Sequence, residues 1–202
     1  STFINIMINI IYAVGLNLIL GVAGQFSLGH AGFIAIGSYS GAILGKMMNG
    51  LPGLFAGMAV GVVISVIVAF LVGLPTLRLK GDYLAIATLG VAEIIRVAVT
   101  NMKITNGAAG ISGVPLTNTW TITYIALVVT TILILNYTFS SAGRATYAVL
   151  QDEIAAESMG VQVTKYKILA FVLGAATASI GGTLSATTLG AVTPSDFTFM
   201  KS

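Results

Sequence analysis

The sequence has 202 residues, of which 56% are hydrophobic and only 7% carry a charge, against about 25% in a soluble domain. Nine Lys or Arg and six Asp or Glu are too few to cover a water-soluble particle of this length. They are also clustered, which leaves charge-free runs long enough to cross a bilayer. Zero cysteines exclude disulfides, thiolate metal sites and cysteine nucleophiles, and the single histidine, His30, leaves no His-rich metal site. No metal or other cofactor is expected. The net charge of +3 is better explained by membrane topology than by nucleic acid, because basic residues are retained on the cytoplasmic side.

In chain order, the residues predict an all-α polytopic membrane helix bundle with about six spanning or broken helices. Residues 3–22 read as one span, with no basic stretch ahead of it to suggest a cleaved signal peptide. A Gly-rich break, Gln25–Phe33, precedes a second helix over about 31–48. Pro52 and Gly53 are read as a turn, followed by a third span over 54–76 that ends at Pro75. The loop carrying Arg78, Lys80 and Asp82 leads to a fourth span, about 83–100. Residues 101–119 are polar and Gly-rich and are placed outside the hydrocarbon layer. The fifth and sixth spans cover about 120–139 and 167–190.

Arg78 and Lys80 lie in one loop, and Arg144, Lys165 and Lys167 lie in or beside 140–166, two spans later. Both regions therefore fall on one side, which the positive-inside rule makes cytoplasmic. The 101–119 loop, with Lys103 alone, is then external.

Small residues recur every four positions: Gly37, Gly41 and Gly45; Gly53, Gly57 and Gly61; Gly174, Ala178, Gly182, Ala186 and Gly190. Such stripes let helices approach closely, either as fixed packing or as faces that slide. Gly41–Lys46 resembles a phosphate-binding loop but is one residue short and lacks the Ser or Thr that ligates magnesium. If ATP is used, another subunit binds it.

Polar groups at membrane depth are the candidates for a translocation path: Asn17, Gln25, Ser27, His30, Thr88, Glu93 and Arg96. Glu93 and Arg96 are one helical turn apart and can pair with each other or line a path; bare charges there cost about 2.5–3.5 kcal/mol each. His30 either locks the broken segment by hydrogen bonding or faces a cavity. Asn17 and Thr88 suit a path or bonds across helices equally well.

Segment 140–166 holds most of the remaining charge. Helix formers continue to Gly160, and at 100° per residue Tyr147, Leu150, Ile154 and Val161 share one side. Ala145, Ala148, Ala155 and Ala156 share the other, a smooth face suited to close docking. Read from the residues alone, this is either a surface connector or a docking element.

Ala155-Ala156 followed four residues later by Gly160, between two spans, resembles the EAA loop of ABC-importer permeases. The generic motif has Glu directly before the alanines; here Ile154 holds that place and Glu153 precedes it. LivM-type permeases of branched-chain amino acid importers share that departure. Further segments are similar to that branch: Gly15–Leu18, Gly24–Phe33, Leu77–Ile86, Gly90–Arg96, Gly107–Pro115, Asp152–Glu157 and Pro194–Phe199.

The resemblance covers nearly the whole chain from Ile10. It implies a single permease domain over 1–202, incomplete at both ends, with 140–166 as its cytoplasmic coupling segment. Arg144, Asp152, Glu153, Ala155, Ala156 and Gly160 are then the ATPase-coupling residues. The implied partners are a homologous LivH-type permease, two cytoplasmic ABC ATPases, an extracytoplasmic substrate-binding protein and the lipid of a prokaryotic plasma membrane. The implied activity is ATP-driven uptake of branched-chain amino acids by alternating access, with no catalysis by this chain. Alternatives are a urea or short-amide permease of related fold, a stand-alone secondary transporter or channel, and a membrane enzyme. The last lacks paired carboxylates, a zinc motif and a nucleophile–base set.

Overall fold

The computed structural model describes residues 2–198. Phe199, the end of the Pro194–Phe199 resemblance, and Lys201 lie outside the described residues, as does Ser1. The chain forms an all-α bundle of α1 (Thr2–Asn17), α2 (His30–Met47), α3 (Leu51–Thr76), α4 (Asp82–Asn101), α5 (Trp120–Phe139), α6 (Ser141–Gln151), α7 (Glu153–Ser158) and α8 (Val163–Leu189). Two two-residue strands, β1 (Ile111–Ser112) and β2 (Ala191–Val192), pair antiparallel.

Among the described residues, five helical segments are long and apolar enough to cross a membrane: Thr2–Val22, Leu51–Thr76, Asp82–Asn101, Trp120–Phe139 and Val163–Leu189. The sixth expected span, α2, falls short in apolarity and is the most enclosed. It is buried almost continuously from His30 to Ala42 and packs between α3 and α8. Surrounded by helices instead of lipid, it has no need of an apolar surface and carries Ser38, Tyr39 and Ser40.

Small residues make this centre possible. A Cβ on Gly182 would lie 2.2 Å from the Ile34 carbonyl oxygen, and one on Gly37 would lie 2.0 Å from that of Ser179. The helices therefore touch backbone to backbone, and hydroxyls bond across the crossing. Ser38 Oγ donates to Gly182 O at 2.9 Å, and Thr183 Oγ1 donates to Gly37 O at 2.9 Å. The glycine stripes thus serve fixed packing in this conformation.

Several boundaries differ from the sequence expectation. The first span changes at Leu18–Val22 into a π turn, a wider coil that recurs at functional positions. The turn before α3 falls at 48–50, and Pro52 lies in the first helical turn, where its missing N–H would have had no partner. Helix α8 starts at Val163, so Lys165 and Lys167 are helical. The largest departure is in 140–166, where two helices meet at an extended Asp152 (φ −157°, ψ 108°). The two faces drawn across that point on one helical wheel therefore do not exist.

The 77–82 turn and segment 140–166 meet: Lys80 Nζ lies 3.5 Å from Glu153 Oε2. One end of the bundle thus gathers Arg78, Lys80, Arg144, Lys165 and Lys167, five of the nine Lys and Arg, interleaved with Asp82, Asp152, Glu153 and Glu157; by its Lys and Arg content it is the basic face. At the opposite end, β1 pairs with β2, Lys46 Nζ donates to Ser112 O at 2.9 Å and Val114 N–H donates to Gly190 O at 2.9 Å. These bonds fold the 101–119 loop back onto the bundle.

Candidate coupling segment and translocation path

Helix α7 is short, and both of its ends are specified. Asp152 is the N-cap, with Oδ1 accepting from the N–H groups of Ile154 and Ala155 at 3.0 Å each. At the other end, Gly160 N–H donates to Glu157 O and Val161 N–H donates to Ala156 O, both at 3.0 Å. This is a Schellman closure, which needs a left-handed residue after the last turn. Gly160 supplies it at φ 85°. The spacing from Asp152 to Gly160 therefore encodes a self-contained helix on the basic face.

What α7 presents outward differs from the expected alanine face. Ile154 and Met159 are 75% and 84% exposed, whereas Ala156 is buried against the chain's own bundle. Ala155, Glu157 and Gly160 are exposed, as is Arg144 on α6, where its guanidinium donates to Ser141 Oγ at 3.3 Å. Tyr147 is also exposed. The outer surface of the segment thus carries the apolar Tyr147, Ile154 and Met159 beside the charged Arg144, Asp152 and Glu157.

Glu153 turns toward the bundle. Its Oε2 lies 3.0 Å from Lys167 Nζ, with Lys80 at 3.5 Å on the other side. Lys167 is largely buried in the first turns of α8, whereas Lys80 is exposed, so the Lys167 pair is the less screened of the two. Neither partner is readable from local spacing, because Lys80 lies far along the chain and Lys167 is on the next helix, beyond a turn whose geometry the residues do not specify.

The structure divides the candidate path residues. Gln25, Ser27, His30 and Thr88 come together, all buried, around the break at 23–29. Gln25 Nε2 donates to Lys167 O at 3.1 Å, Ser27 Oγ accepts from Gly29 N–H at 3.3 Å, and Thr88 Oγ1 accepts from Leu28 N–H at 3.0 Å. The break is thereby pinned to α8 on one side and α4 on the other. His30 opens α2, its ring edge-on to Tyr12 at 6.4 Å between centroids.

Asn17, Glu93 and Arg96 are not part of that group. Asn17 is exposed above Gly21 in the π turn. Glu93 and Arg96 face outward on α4 and pair with each other; Arg96 Nε donates to Glu93 Oε2 at 2.9 Å.

A cavity of about 370 Å³ opens toward the end opposite the basic face, between α1, α2 and α8. Asn5, Asn9 and Ser185 give it polar edges, and Ile8, Ile34 and Phe197 give it an apolar wall. That volume lies within the range of about 300–1,000 Å³ usual for small-molecule pockets. Sequence reading passed over Asn5 and Asn9, although two amides four apart in an apolar span mark one helix face. Asp196, given no role from sequence, also lines the cavity; its Oδ2 accepts from Thr193 N–H at 3.0 Å and Thr193 Oγ1 at 2.8 Å.

The family profile described as the branched-chain amino acid transport system permease component matches residues 1–201. The chain belongs to that family. Among curated relatives, it is 36% identical to the high-affinity branched-chain amino acid transport system permease protein LivM of Salmonella typhimurium. That alignment covers 97% of this chain and 54% of the relative. It is 27% identical to a probable LivM of Methanocaldococcus jannaschii, over 84% of this chain and 52% of that one. It is 24% identical to LivH of Salmonella typhimurium, over 90% of this chain and 67% of the relative. The chain spans about half the length of the LivM relatives it matches. No solved structure matches it. Membership in a multi-pass permease family accords with the five apolar spans.

Proposed function

We propose that the chain is part of a LivM-type permease subunit of an ATP-driven importer for branched-chain amino acids, in a prokaryotic inner membrane. The observation that carries this reading is α7: a capped, Gly160-closed helix on the basic face that presents Ile154 and Met159 outward within a permease-family chain. The basic face is cytoplasmic by the positive-inside rule. Segment 140–166 is the coupling segment of a single permease domain, and an ABC ATPase covers its exposed apolar surface.

A LivH-type permease supplies the other half of the pathway, two ATPases hydrolyse ATP, and an extracytoplasmic binding protein delivers substrate. Alternating access follows if ATP binding favours one of two arrangements of the permease pair. Branched-chain amino acids are the substrate class because the relatives are named for them and the cavity offers an apolar wall beside amide groups. The path runs past that cavity and the Gln25, Ser27, His30 and Thr88 cluster.

The test is reconstitution of the full-length protein with its genomic neighbours, assaying uptake of labelled leucine, isoleucine, valine and urea with the cognate binding protein. ATP-dependent uptake of the three amino acids is expected. Preference for urea, or uptake that needs no ATPase subunit, would overturn the reading.

A further inference from the structure

We propose that Lys167 is a positioning residue that ties the coupling segment to the broken segment 23–29, so that displacement of α7 moves the break and the start of α2. The word coupling rests on the proposed function; the linkage itself rests on geometry.

Lys167 makes contacts in two directions. Its ammonium lies 3.0 Å from Glu153 Oε2, at the first residue of α7. Its carbonyl oxygen accepts from Gln25 Nε2 at 3.1 Å, in the break. Among the described residues, the ion pairs between α7 and the rest of the chain are both made by Glu153, and the partner other than Lys167 is the exposed Lys80. The less screened electrostatic grip on α7 therefore passes through Lys167.

A second contact reaches the same place. Leu150, near the end of α6, fills the space beside Gly24, where a Cβ would lie 2.2 Å from Leu150 Cδ1. Segment 140–166 thus holds Gly24 by packing and Gln25 through Lys167, on two adjacent residues. Beyond them, Leu28 N–H donates to Thr88 Oγ1 on α4, and His30 starts the central helix. A push on α7 consequently meets a segment that is irregular, buried at Ala23, Gln25, Ser27 and Gly29, and joined to α2, α4 and α8. The linkage is measurable as a coupling between the two sites.

The experiment uses the full-length protein assembled with its partner subunits and two readouts: hydrogen exchange of the 24–29 amides, and substrate taken up per ATP hydrolysed. Lys167→Met keeps the stem but removes the charge. It should raise exchange at 24–29 and lower uptake per ATP, each by about fivefold or more, the scale of an ordinary coupling energy. Exchange in 180–189 should not change, and Lys167→Arg should restore both readouts.

Wild-type exchange at 24–29 together with unchanged uptake per ATP in Lys167→Met would overturn the proposal. Should Lys167→Met also lose protection in 180–189, Gln25→Leu decides by cutting the other contact. The same two changes support the linkage, and wild-type behaviour rejects it. If wild-type uptake proves independent of ATP, the proposed function falls, while exchange at 24–29 still decides whether Lys167 holds the break.

Discussion

The tightest constraints in this chain sit on single glycines. Gly182 brings α8 against the α2 backbone, and any side chain there must displace the Ile34 carbonyl. Overpacking of a well-filled core costs about 1–3 kcal/mol, occasionally more. Gly182→Leu should therefore lower the thermal midpoint of the detergent-solubilised full-length protein and reduce its monodisperse yield. A midpoint equal to that of wild type would mean that the crossing is looser than described. The stripe containing Gly182 was legible in the sequence from its four-residue spacing. The carbonyl it meets was not, because spacing identifies a face and not what lies opposite.

At the scale of the element, α7 shows how much of a site short-range chemistry encodes. Asp152 before Glu-Ile-Ala-Ala and Gly160 after it are an N-cap and a C′ glycine, both readable in principle from residue type. A continuous helical wheel across Asp152 concealed the break, because Gln151 and Glu153 are themselves good helix formers. With the wheel cut there, the apolar surface available to a partner is Ile154, Ala155 and Met159, while Ala156 is buried. Ile154→Asp should therefore reduce co-purification of the ATPase subunits about tenfold, the effect of losing roughly 1.4 kcal/mol of binding. The expression of the permease should be unaffected. Retention of the ATPases at the wild-type ratio would move the docking surface elsewhere.

The same scale explains the divided path residues. A polar side chain in an apolar span signals that it avoids lipid, but not which neighbour it finds. Thr88 and Gln25 found backbone groups across the interior, while Glu93 and Arg96 found each other on the outer side of α4. Only the last pair could be foreseen from local spacing, since three residues separate its members along one helix.

For the whole molecule, the distribution of fifteen charges carried the topology. The expectation that the 77–82 loop and segment 140–166 share a side came from counting spans, and the Lys80–Glu153 contact brings those two regions together. The central position of α2 was less legible. Helix length marked it as one more span, whereas its serines and glycines place it in the middle of the bundle. Orientation can be read with single cysteines introduced into a cysteine-free background, to which residues 1–202 contribute no native cysteine. A membrane-impermeant maleimide should label Ser112→Cys from outside and Ser158→Cys only in inverted vesicles. The reverse pattern would invert the topology and overturn the coupling role proposed for 140–166.

The proposed coupling stands or falls with α7 as the place where an ATPase acts. Proline fixes φ near −65° and cannot occupy the left-handed closure that Gly160 makes at φ 85°. The decisive measurement is ATP-dependent uptake in proteoliposomes containing full-length Gly160→Pro, its permease partner, the ATPases and the binding protein. Uptake should fall by at least about fivefold, at the scale of a lost coupling energy, with the two permeases still co-purifying. Uptake equal to that of wild type would contradict the proposed coupling.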